Sequence, residues 1–157
     1  MSEFTVKSAY MLKMQQSSTS PGPMLEEYWK MLWKSKMHER LKLLLWRIVC
    51  KSLLIREILN KRFPILDISC PVCGEDVETI EHIFICCHII VQAWANLVWP
   101  LNMDVFKDMN IDKWIKIITN SREMLKIHGK EAKEFTLFAA VFCDQIWKNK
   151  NQTVWGN

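Results

Sequence analysis

Four of the six cysteines in this chain, Cys70, Cys73, Cys86 and Cys87, fall within 18 residues, with His82 among them. The first two lie in Cys70-Pro71-Val72-Cys73-Gly74. Cysteines separated by two residues can turn both sulfurs toward one ion, and Gly74 permits the backbone reversal that such a turn often needs. Cys50 and Cys143 stand alone, which is a poor start for a disulfide framework. Met1–Tyr10 has no apolar signal core, and no stretch approaches the roughly 20 apolar residues that span a bilayer. The expected setting is therefore nuclear or cytoplasmic and reducing, without a membrane partner, and clustered thiols there point to a metal. Zinc takes four nitrogen or sulfur donors in a tetrahedron, at about 2.0–2.1 Å and 2.3 Å respectively. Cys70 and Cys73 need a second pair, which His82 supplies together with Cys86 or Cys87.

Spacing alone leaves those two sulfurs open. On a regular α-helix, residues four apart lie about 40° apart around the axis and residues five apart about 140°, which favours Cys86. A helix that begins only at Cys87 removes the constraint and places a thiolate at a helix N-terminus, where the dipole stabilises it. The competing readings are weaker. Buried inert thiols are common, but not in this grouping, and a redox dithiol lacks a surrounding βαβ pattern. Four donors complete the tetrahedron, so the expected cofactor is one structural Zn²⁺ with no position left to activate water. His88, next to Cys87, is expected to point away. No constellation for catalysis or for a small-molecule substrate is found.

The rest of the chain reads as helical. Half of its residues are hydrophobic, eight are tryptophan and only four are glycine, which suits a packed helical domain better than a turn-rich sandwich. Phe4–Val6 alternates like a short strand, and Ser8 can cap a helix through Tyr10, Leu12 and Met14. Gln15–Pro23 is a polar linker ending in Pro-Gly-Pro. The apolar period predicts helices over Leu25–Trp33, over Met37–Val49 (Met37, Leu41, Leu44, Leu45 and Ile48 on one face) and over Ser52–Arg62. Further helices are expected over Cys87–Trp99, Asp112–Thr119 and Glu131–Lys148, the last with Phe135, Phe138, Ala139, Phe142 and Ile146 on one face. The fold class is mainly α: a small helical domain with a Cys3His zinc knuckle and at most a short hairpin. Its parts are an N-terminal strand and helix arm at 1–16, a linker at 17–25, basic helices plus the zinc-binding module at 26–100, and a C-terminal helical segment at 101–157.

Charge is divided along the chain. Residues 30–62 carry ten basic against two acidic side chains, a local +8, whereas residues 63–106 carry six acids and no Lys or Arg. Lys34, Lys36, Arg40, Lys42, Arg47 and Lys51 are therefore the candidate nucleic-acid contacts, able to neutralise phosphates. The plainer reading of the same charges is a solvated helix face. Trp46, between Lys42 and Arg47, could stack on a base, although such a tryptophan more often belongs to the core.

With these residues in view, the chain resembles the reverse-transcriptase zinc-binding domain of plant LINE-type (non-LTR) retrotransposon polyproteins. The resembling stretches are FTVKSAY at 4–10, WKMLWKSK at 29–36, LLLWR at 43–47, CPVCGEDVETIEHIFICC at 70–87, and Trp94. The family pattern runs Cys-Pro-x-Cys-Gly, Glu-Thr-x-x-His, then a cysteine five residues after the histidine and a tryptophan seven further on. The resemblance thus implies Cys70, Cys73, His82 and Cys87 as the zinc ligands. Ile146-Trp147-Lys148 with Asn151 is similar to the stretch that closes such domains. The chain departs from the pattern in having no proline at 37–40 or 52–56, so that weak punctuation leaves open a fusion of two helices, and in having Lys150 where Arg is usual. The resemblance implies a non-catalytic accessory of RNA-templated DNA synthesis that binds RNA or DNA. The alternative is a structural module that packs against a polymerase or another partner chain.

Overall fold

The computed structural model describes residues 23–65 and 67–155. The expected strand at Phe4–Val6, the Ser8 helix and most of the linker lie outside them. The chain divides into two compact units, residues 1–44 and 45–157.

In the first unit, α1 (Pro23–Lys34) starts on a proline, whose missing N–H costs nothing in the first helical turn. Trp29 and Leu32 are buried. Its C-terminal end is closed by side chains. The Ser35 hydroxyl donates to Leu32 O at 2.7 Å, and the Lys42 ammonium donates to Trp33 O at 3.1 Å, a cation where the helix dipole favours one. Helix α2 (Glu39–Val49) carries Leu41 and Leu44 in the first unit and Leu45, Ile48 and Trp46 in the second, all buried.

Helices α2 and α3 (Arg56–Arg62) remain separate without any proline. Ser52 N–H bonds Arg47 O at 2.9 Å and Lys51 N–H bonds Ile48 O at 3.1 Å, the paired bonds of a Schellman cap. Lys51 stands at the left-handed position, φ +50°, where glycine is usual. The helix expected to start at Ser52 starts at Arg56 instead: Leu53 and Ile55 are drawn into the core, Ile55 from extended backbone. Ile55 gives α3 no side-chain cap. The Glu78 carboxylate, from the cysteine block, accepts the Arg56 N–H in its place.

Among the described residues there is no strand, only one isolated antiparallel bridge between Ser69 and Val77 at the zinc turn. A π-helical turn (His82–Cys86) follows, then α4 (His88–Ala95), a short 3-10 turn (Met103–Val105), α5 (Ile111–Thr119), α6 (Ser121–Met124) and the long α7 (Gly129–Trp155). Helix α4 stops at Ala95, well short of Pro100. Asn110 caps α5 by accepting the Lys113 N–H at 3.0 Å. An aromatic core joins these elements. Trp114 of α5 lies 6.5 Å from Phe84 of the π turn and 5.7 Å from Trp94 of α4, and Trp94 meets Phe142 of α7 edge-on at 4.6 Å. Trp99 packs edge-on against Phe138 at 5.2 Å. No described helix is long and apolar enough to cross a membrane.

Candidate metal centre

The site sits on three pieces of local structure, all in the second unit. Cys70 and Cys73 lie on the turn of a miniature hairpin. Glu78 N–H bonds Ile68 O at 2.9 Å, Cys70 N–H bonds Asp76 O at 2.6 Å, and Gly74 N–H bonds Cys70 O at 2.7 Å. Gly74 has φ +77°, a conformation that a side chain would strain. His82 enters on the π turn, whose start is fixed by the Thr79 hydroxyl accepting the His82 N–H at 3.0 Å, the role of a helix N-cap. Cys87 ends that turn and precedes α4.

The π turn lets Cys87 join His82. Cys87 N–H bonds His82 O at 2.7 Å, an i to i+5 bond. In a π-helical turn, position i+5 comes round to the face of position i, so the 140° splay of a regular helix does not arise. The residues between them explain why the turn widens here: Ile83, Phe84 and Ile85 are all fully buried and seat the segment in the core. Cys86 is exposed, with its sulfur donating to Lys107 O at 3.5 Å.

The donor atoms of Cys70, Cys73, His82 and Cys87 all lie within 4.8 Å of one another. Neighbouring sulfurs of a zinc tetrahedron stand about 3.8 Å apart, so shifts of about an ångström close the set. His82 directs Nε2 inward, 3.3 Å from the Cys73 sulfur, while Nδ1 faces the Asp76 carboxylate at 3.8 Å. An outer carboxylate of this kind orients a ligand imidazole. His88 is turned away toward Glu75, at 3.6 Å.

The electrostatics favour a thiolate at Cys70. The hydrogen bond from the Cys87 thiol holds Cys70 down to about 4 against the opposing effect of burial, and the amides of Val72 and Cys73 add to the lowering. That same bond, together with burial, pushes Cys87 up, although the amides of Ile89 and Ile90 at the start of α4 favour its charged form. The pair therefore shares one proton, which a bound cation would displace. Soft sulfur donors with one imidazole match zinc.

The basic residues singled out in the sequence are not equivalent. Lys34, Lys36 and Arg40 are exposed. Lys42 is 3% exposed, its ammonium held by Trp33 O and by Glu39 at 3.1 Å. Arg47 is half-buried, and Lys51 is exposed and pairs with Glu81 at 3.5 Å. Trp46 is 8% exposed and offers little face to a base. Nor does the division of charge along the sequence survive folding. Asp67 pairs with Arg56 at 3.1 Å, Glu81 with Lys51, and Glu78 is fully buried against Lys150 at 3.0 Å.

The fold and site define a helical domain with a Cys3His set that could hold a metal ion. The family described as zinc-binding in reverse transcriptase matches residues 4–94, more than half of the chain, and the chain belongs to it. A relative from Arabidopsis thaliana, whose name proposes it as a ribonuclease H protein, is 26% identical over 113 residues. That alignment covers 72% of this chain and 18% of the relative, so the chain spans less than a fifth of that protein's length. No solved structure matches the chain.

Proposed function

We propose that this chain is a non-catalytic accessory domain of a retrotransposon reverse transcriptase, held together by one structural Zn²⁺ on Cys70, Cys73, His82 and Cys87, and that it serves RNA-templated DNA synthesis by binding nucleic acid. The observation that carries the reading is the convergence of four donors, three of them sulfur, in a member of the zinc-binding family. Four protein donors complete the tetrahedron, and a complete tetrahedron stabilises a fold instead of activating water. When bound, the ion would cross-link the 68–78 hairpin, the π turn and the start of α4. Metal binding and folding of this block are then one equilibrium.

For nucleic acid, the residues best placed to meet phosphate are Lys34, Lys36 and Arg40, all exposed and close in sequence around the α1–α2 connection. Arg47 and Lys51 are secondary contacts, and Lys42 serves its own unit. The alternative, a module that packs against the parent polymerase or another chain, is favoured by the exposed apolar side chains Leu54, Phe63, Val98 and Val105. Metal analysis of the purified chain together with RNA and DNA binding across a salt series tests the proposal. It expects one zinc per chain, loss of structure on chelation, and affinity that falls steeply with salt. Salt-independent binding, or none, would favour the packing module. Absence of bound metal would remove the structural role itself.

A further inference from the structure

Glu78 and Lys150 form a buried ion pair in the second unit, with side chains 0% and 2% exposed and Nζ 3.0 Å from Oε1. Lys150 belongs to the last turns of α7, far beyond residue 94 where the family match ends. Its ammonium also donates to Leu54 O at 3.3 Å, in the α2–α3 connection, and lies 4.7 Å from the centre of the Trp147 ring. The second carboxylate oxygen of Glu78 accepts the Arg56 N–H that starts α3. Glu78 is thus tied by its side chain to α3 and α7, and by its backbone to the hairpin through Ile68 O.

Its place in the chain makes those ties consequential. Glu78 stands between the arm that carries Cys70, whose N–H bonds Asp76 O, and Thr79, whose hydroxyl holds the His82 N–H. A displaced Glu78 shifts both arms of the donor set. Glu78 has strong reason to move if Lys150 is lost, because a lone buried carboxylate is far costlier than a paired one and finds water or a proton instead.

We infer that Lys150 is a positioning residue for the metal site: through Glu78, the C-terminal helix sets the geometry in which Cys70 and His82 meet the ion. The inference rests on the zinc reading above. It also means that the unit able to hold metal tightly extends to the end of α7.

Zinc affinity of the full chain, measured by competition with a chromophoric chelator, tests this in three variants. Lys150→Met leaves the carboxylate alone and should weaken zinc tenfold or more, within the range of typical coupling between sites. Lys150→Arg keeps the charge and should stay within about threefold of the native chain. Glu78→Gln with Lys150→Met removes both charges, leaves an acceptor for the Arg56 N–H, and should recover most of the loss. In the native chain, chelation should also speed amide exchange in the last turns of α7. Native affinity in Lys150→Met would overturn the inference, as would equal weakening in all three variants, which would place the effect in packing. If Lys150→Met does not fold, the double variant decides: near-native affinity supports the inference and a tenfold loss refutes it. A native chain that binds no zinc would sink the zinc reading instead.

Discussion

Replacing Cys87 by serine should weaken zinc far more than replacing Cys86, and the size of the gap follows from the structure. A structural zinc in a small domain contributes about 10–16 kcal/mol at neutral pH. Divided over four donors, each is worth about 2.5–4 kcal/mol, which is roughly a hundredfold to a thousandfold in affinity. The Cys87 sulfur is fully buried among the other donors, with the first amides of α4 turned toward it. A serine there keeps the size and loses the soft donor. The Cys86 sulfur lies outside the cluster, on an exposed side chain that makes a weak bond to Lys107 O, and a serine hydroxyl can make the same bond. Cys86→Ser should therefore stay within about threefold of the native chain, since a surface change of this kind is within about 0.5 kcal/mol. Competition titration against a chelator of known affinity reads both values, with circular dichroism at saturating zinc to confirm that each variant folds. Equal losses, or a larger loss in Cys86→Ser, would refute the π-turn register. The i, i+4 geometry of a regular helix would then describe the occupied site.

Three further outcomes are expected. Lys51→Gly should raise the melting temperature by about 2–8 °C, because a side chain at φ +50° costs about 1–2 kcal/mol and the Glu81 pair lost with it is a surface pair of small worth; an unchanged or lower midpoint in thermal unfolding would count against the cap. Changing Lys34, Lys36 and Arg40 together to Glu should abolish most RNA or DNA binding and lower the salt slope by about 0.7–0.9 for each lost phosphate contact; filter binding in a salt series checks this, and native affinity would remove these residues from the interface. Asp67 is held below its usual carboxylate range, first by the Ser69 hydroxyl and amide and then by Arg56. A folded-state value below the unfolded one gives stability that is present above about pH 4 and is lost as the pH falls through the folded value. Asp67→Asn should flatten that part of the acid-unfolding curve, and an identical curve would show the interaction to be without effect.

Much of the molecule follows from the sequence because the causes are local. The helical period over residues 41–48, 112–119 and 135–146 places apolar side chains on one face whatever lies opposite, and those faces are buried, or half-buried at Phe138 and Phe142. Cys-x-x-Cys-Gly carries its own turn, since a glycine at φ +77° and two nearby sulfurs need little help from elsewhere. The choice of Cys87 was legible only through family resemblance. Regular helical geometry argued for Cys86, and what overrides it is a π turn seated by Ile83, Phe84 and Ile85 in an aromatic core whose other walls come from α4, α5 and α7. The apolar period separates α2 from α3 but starts α3 at Ser52; its start at Arg56 was not legible, because the capping carboxylate comes from Glu78 and no residue near Arg56 announces it. Charge misled most. Counted along the chain, residues 30–62 are a basic block and Glu78 is one acid of an acidic block, yet Lys42 is buried at a helix end and Glu78 meets Lys150 in the core. Whether a charge faces water or a partner depends on desolvation and on residues distant in sequence, so composition supplies the charges and only the tertiary structure pairs them.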